Sequence, residues 1–117
     1  MKLKFSWLSD GAVREPGCET VVPGPQGLDL LGCLLADGGG QQYEATIAWL
    51  KEGLSKVRAV KQGELESHNW DREDWGVEIS RENSRIYSLH DDDFFCFLTT
   101  DEFEAALSSW IAFLLEG

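Results

Sequence analysis

Basic residues are scarce in this chain. Ten Lys and Arg stand against 21 Asp and Glu, giving a formal charge of −11 and a pI near 4.4. A surface of that sign repels nucleic-acid phosphates and anionic lipid headgroups and favours a partner with a basic face. Cysteine is scarce too. Cys18, Cys33 and Cys96 are odd in number and contain no C-x-x-C pair, which argues against a disulfide framework or a zinc site and for reduced, partly buried thiols. No apolar run approaches the ~20 residues of a membrane span. The first residues, Met1-Lys2-Leu3-Lys4-Phe5-Ser6-Trp7-Leu8, alternate and lack the apolar h-region of a signal peptide, so a cytoplasmic protein is expected.

What the chain does have is apolar bulk. Its 117 residues are 43% hydrophobic, with five Trp, six Phe and two Tyr, enough for one independent core spanning residues 1–117 as a single domain. Leu3, Phe5 and Trp7 alternate with Lys2, Lys4 and Ser6, the period of a half-buried strand over residues 2–8. Residues 10–40 hold all three prolines and most of the twelve glycines, which reads as a turn-rich stretch with short extended pieces around 20–22 and 28–35. The run Leu30-Leu31-Gly32-Cys33-Leu34-Leu35 is short enough to be strand or helix; strand is the reading adopted.

Tyr43, Ile47, Leu50, Leu54 and Val57 are spaced 4, 3, 4 and 3, which predicts an amphipathic helix over about 41–58. Gly53 inside it weakens the helix by ~1 kcal/mol relative to Ala, so it marks close packing or a weak last turn. Lys51, Lys56, Arg58 and Lys61 complement the negative end of the helix. Trp75, Val77 and Ile79 alternate with polar residues, Ser80-Arg81-Glu82-Asn83-Ser84 has turn composition, and 85–89 returns as the second strand of a hairpin. The run Phe94-Phe95-Cys96-Phe97-Leu98 reads as a third strand buried on both faces. Thr99 with Glu102 three residues on forms a capping box that opens a helix over about 100–116, with Phe103, Leu107, Trp110 and Leu114 on its apolar stripe. The expected fold is α+β: a mainly antiparallel sheet with these two helices packed on one face.

Few residues suggest catalysis. His68 and His90 are the only histidines, and neither sits in a Ser or Cys nucleophile motif. His90 beside Asp91, Asp92 and Asp93, and His68 near Asp71, Glu73 and Asp74, lack the spacing of known metal motifs. Gly38-Gly39-Gly40 precedes a helix but lacks the Lys-Ser/Thr of a P-loop and the G-x-G-x-x-G pattern, with Asp37 placed to repel a phosphate; a flexible linker is the reading adopted. No enzyme, cofactor or metal is expected.

The negative charge is unevenly placed. Residues 64–104 contain thirteen acids against Arg72, Arg81 and Arg85, and the rest of the chain is nearly neutral. One electronegative surface is expected, built for steered capture of a basic partner. Its candidate residues are Glu64, Glu66, Asp71, Glu73, Asp74, Asp91, Asp92 and Asp93, with Trp70 as an apolar anchor among the carboxylates. The alternative for Trp70 is a cover over the sheet edge. Trp7, Trp49, Trp75 and Trp110 are assigned to the core or its margin.

The helix with an internal Trp (Tyr43-Glu44-Ala45-Thr46-Ile47-Ala48-Trp49-Leu50), the acidic Trp-bearing loop and hairpin of residues 70–89, and the closing Leu98-Thr99-Thr100-Asp101-Glu102-Phe103 helix resemble small bacterial immunity proteins of polymorphic toxin systems, including contact-dependent growth inhibition. The resemblance spans roughly residues 41–117. It implies binding and neutralisation of a cognate toxin protein with a basic surface, commonly a nuclease, by a chain that is a monomer or weak homodimer when free. Two other classes remain open: a small metal-dependent hydrolase using His68 or His90 with carboxylates, and an adaptor or oligomerisation domain for a basic protein.

Overall fold

Strict alternation in the first residues produces an antiparallel ribbon. The computed structural model describes residues 2–11, 13–20, 24–91 and 93–116. In it, β1 (Leu3–Asp10) pairs with β2 (Val13–Thr20), Trp7 lying opposite Pro16. Pro16 and Gly17 within β2 made this stretch read as turn, but a two-stranded ribbon has only edge strands, where a missing N–H is tolerated. The expected extended piece at 20–22 falls mostly on Val21 and Val22, outside the described residues. Leu3, Phe5 and Trp7 are half-buried against the core.

The strand expected at 28–35 is replaced by a helix, α1 (Leu30–Ala36). Its cause is Asp29, which caps the helix by accepting from Gly32 N at 2.9 Å, and accepts from Thr20 N at 2.7 Å as well. Leu30, Leu31, Leu34 and Leu35 then fall on one side of two turns, and all four are buried.

The helix expected over 41–58 is α2 (Tyr43–Lys61), with Leu50, Val57 and Val60 fully buried. Four strands follow: β3 (Ser67–Asp71), β4 (Trp75–Ser80), β5 (Asn83–Ser88) and β6 (Phe95–Thr99). They form an antiparallel sheet in chain order, with Trp70 opposite Val77, Val77 opposite Ile86, and Ile86 opposite Cys96. α3 (Thr100–Glu116) starts at the expected capping box: Thr99 Oγ1 accepts from Glu102 N, and the Glu102 carboxylate accepts from Thr99 N, each at 3.0 Å. Thr99 N, and then Thr99 Oγ1, donating to the Glu102 carboxylate lower its pKa.

One face of the sheet, bearing Trp70, Val77, Ile79, Ile86, Cys96 and Leu98, is buried beneath the helices. α2 lies over β3 and β4, α1 over β4 and β5, and α3 over β5 and β6. The ribbon joins α3 through aromatic contacts, Phe5 meeting Trp110 edge-on at 5.3 Å and Trp7 stacking on Phe113 at 5.0 Å between ring centres. The fold is therefore α+β, with three helices rather than two on the sheet. Gly53 marks close packing: a Cβ there would come within 2.6 Å of the Trp70 indole.

One expectation for β6 is overturned. Only Cys96 and Leu98 are buried, while Phe95 and Phe97 point away from the helices and are 41% and 61% exposed. No element covers that side of the sheet among the described residues, so an apolar run here does not mean burial on both faces.

Candidate interaction surface

An antiparallel sheet in chain order brings alternate connections to the same end. The end of β3 and the β3–β4 connection carry Asp71, Glu73 and Asp74, and the β5–β6 connection carries Asp91 and Asp93, all exposed; Asp92 lies outside the described residues. The two connections are bonded together, Leu89 N donating to Asp74 O at 3.0 Å and His90 Nε2 lying 2.9 Å from Asp74 Oδ1. Asp91 Oδ1 accepts from Asp93 N at 3.0 Å, which fixes the loop's turn. Five of the expected acids are thus one cluster.

Asp37 joins this end unforeseen. Its carboxylate accepts from Asp74 N at 2.8 Å and from Gly39 N at 3.2 Å. The glycine stretch read as a flexible linker is thereby folded into a turn beside Glu73 and tied to the β3–β4 connection. The contact spans 37 residues of sequence, and no local pattern announces it.

Arg72 stands between Asp71 and Glu73 in sequence but does not project onto this surface. Its side chain turns inward and the residue is only 5% exposed. Nη1 donates to Leu34 O at 3.2 Å and Nη2 to Asp37 O, closing the carbonyl end of α1. The guanidinium stacks on Trp49 and Trp70 at 4.8 and 5.2 Å. Burial lowers its pKa to about 10, opposed by the Asp37 charge, so it stays protonated at neutral pH.

Other expected residues are placed elsewhere. Trp70 is 4% exposed, wedged between Gly53 of α2 and the Arg72 guanidinium; it is a core residue and cannot serve as the exposed anchor. Glu64 and Glu66 are exposed but precede Ser67, which pairs with Ser80 at the opposite end of the sheet. Asp101 and Glu104 leave the electronegative surface as well, since Lys61 Nζ lies 2.6 Å from each and Arg58 Nε 3.3 Å from Glu104. The single acidic face read from the sequence is therefore smaller, and confined mainly to one end.

Aromatics that the sequence did not reveal as exposed lie on the open sheet face. Phe95 and Phe97 meet edge to face at 5.8 Å, and the Arg85 guanidinium lies over Tyr87 at 4.9 Å and over Phe95 at 5.4 Å. Tyr87 OH donates to Asp71 Oδ1 at 3.2 Å, joining the aromatic face to the acidic end. Burial, then the Asp71 charge, raises the Tyr87 phenol above its ordinary pKa. The signal in the sequence was alternation: Tyr87, Phe95 and Phe97 share the parity opposite to Ile86, Cys96 and Leu98.

No protein-family model, curated protein or solved structure matches this chain. Its chemistry is read from its own groups. His68 is half-buried at the Ser67 end of β3, and His90 is exposed at the other end, so the two histidines do not converge. Among the described residues no group of three His, Cys, Asp or Glu is arranged to hold a metal ion. A cleft of about 660 Å³ opens between β2, the Gly38 turn, α2 and α3; Glu15 and Glu44 oppose Arg14 and Arg72 in its lining. Burial pushes the Cys18 thiol up to about 12 and Cys96 to about 11, so both stay protonated and unreactive at neutral pH. No helix of the described residues is long and apolar enough to cross a membrane. The surface offers exposed carboxylates and exposed aromatic rings.

Proposed function

We propose that this protein is an immunity protein, binding a basic toxin domain of nuclease type through the acidic end of its sheet and the adjoining aromatic face. One observation carries the reading. Five exposed carboxylates at one end of the sheet adjoin exposed Phe95 and Phe97 and half-buried Tyr87 and Arg85, while the arginine in the midst of the acids is withdrawn into the core. Carboxylates presented where a nuclease holds phosphates compete for its cationic site, and their joint field speeds encounter. Aromatic and Arg side chains supply the contact area typical of an interface centre. The acidic chain's resemblance to immunity proteins supports the same reading.

The test is co-purification with the product of the gene immediately upstream, followed by protection of cells expressing that product. Simultaneous reversal of Asp71, Glu73 and Asp74 to Lys is expected to weaken the complex by about 2–5 kcal/mol, with part of the loss in association rate. Wild-type affinity in that variant removes the proposed surface, and absence of both complex and protection removes the immunity reading.

A further inference from the structure

The two edges of the four-stranded sheet are chemically different. On the open face β3 carries Ser67, Asn69 and Asp71, a polar edge, whereas β6 carries Phe95 and Phe97. The direction of the β6 backbone groups follows from its flanking hydrogen bonds. Ser88 N donates to Phe94 O at 3.0 Å and Thr100 N to Glu82 O at 3.0 Å. In an antiparallel ladder, bonded pairs alternate with unbonded ones. The pairs of Ile86 with Cys96 and Ser84 with Leu98 are therefore bonded, and Phe95, Phe97 and Thr99 aim their N–H and C=O groups away from β5. Thr99 N confirms this parity by donating instead to Glu102.

Phe95 and Phe97 thus each present an N–H and a C=O along the open edge, with no partner among the described residues. The same two residues hold the exposed rings. Two residues of strand separate these donor–acceptor pairs by about 6.6–6.8 Å, the repeat at which an added strand offers its own. Side chains of an added strand opposite Phe95 and Phe97 lie beside those rings. Acids stand at one end of the edge: Asp91 and Asp93, both exposed, precede β6, whereas after it Asp101 is paired with Lys61 and Glu102 caps α3.

We propose that the β6 edge is a strand-addition site that takes an extended segment of a partner protein, apolar at alternate positions and basic at the end that lies beside Asp91 and Asp93. The proposal deepens the reading of a basic partner and rests on it for the partner's charge. Asp91 and Asp93 select that occupant over a second copy of this chain, which would bring identical carboxylates and a charge of −11 to the same edge. Uncovered edges of this kind are the ordinary template for β-augmentation.

A capped peptide of alternating valine and threonine ending in an arginine pair is the probe, added to the full chain. It is expected to bind and to slow amide exchange at Phe95 and Phe97 about tenfold, leaving the β3 edge unchanged. Phe97→Ala removes the ring, and Phe97→Pro also removes the outward N–H while sparing the ladder to β5. Phe97→Pro is expected to weaken binding about tenfold more than Phe97→Ala. A peptide N-methylated at alternate residues, with unchanged side chains and charge, asks the same question of the unmodified protein and is expected not to bind.

Equal binding of the N-methylated peptide, unchanged exchange at both amides, or a dimer of the free chain with those amides already protected overturns strand addition. The immunity reading survives each of those results if the toxin complex still forms. Conversely, peptide binding with β6 protection but no protection of toxin-expressing cells upholds this site and removes that reading.

Discussion

The two faces of the four-stranded sheet are made by the same strands and have opposite fates. On the inner face Trp70, Val77, Ile79, Ile86, Cys96 and Leu98 lie beneath three helices, and on the outer face Asp71, Glu78, Arg85, Tyr87, Phe95 and Phe97 meet solvent. Hydrophobicity alone does not separate them, for Phe97 is as apolar as anything in the core. Position relative to the helices does. α1, α2 and α3 all cross to one side, so residues of one parity lose water and those of the other keep it. An aromatic pair left on the wet side, beside charged groups, is a feature of binding surfaces more than of folding.

The sharpest way to break this comparison is to truncate one residue from each face. Ile86→Ala empties a fully buried site and is expected to lower unfolding stability by about 2–5 kcal/mol in chemical denaturation. Next comes Gly53→Ala, which forces a Cβ to within 2.6 Å of Trp70. Despite the better helix propensity of Ala, the overpacked indole is expected to cost about 1–3 kcal/mol, visible as a lowered melting temperature. A stabilised G53A variant would mean that Trp70 is not held on α2.

Thr99, on the outer parity, tests the passage from sheet to helix. Thr99→Ala is expected to lose about 0.5–2 kcal/mol at neutral pH. Glu102 accepts bonds from Thr99 that depress its carboxyl pKa. Its contribution is therefore complete above the unfolded carboxyl pKa of about 4.3 and is lost as pH falls through the lower folded value. The stability gap between T99A and wild type should narrow in denaturation curves recorded through that acid range. The smallest effect is expected for Phe97→Ala, within about 0.5 kcal/mol in stability, accompanied by weaker partner binding. A large stability loss in F97A would show that the outer face is covered in the folded chain.

Much of the architecture was legible because it rests on short-range periodicity. The 4-3-4-3 spacing from Tyr43 to Val57, the capping box at Thr99 and Glu102, and the alternation around Trp75 each describe one element and its apolar side. The misreadings came where composition competed with a single capping or packing contact. Pro16 and Gly17 suggested turn in a ribbon that tolerates both, and Asp29 converted a run of leucines from a plausible strand into α1. The acidic surface was only partly legible. Glu64 stands seven residues before Asp71 in sequence yet lies toward the other end of the sheet, whereas Asp37 stands far away and is bonded to the same connection.

By itself, the sequence determined the sign of the surface, the α+β character and the buried face of β1, α2, β4 and α3, since these depend on charge and local spacing. The tertiary structure alone decided that Trp70 and Arg72 go inward, that Phe95 and Phe97 stay out, and that β6 keeps an open edge. The physical reason is that burial depends on what crosses above a residue, and the helices that cover Trp70 and leave Phe97 bare approach from elsewhere in the chain.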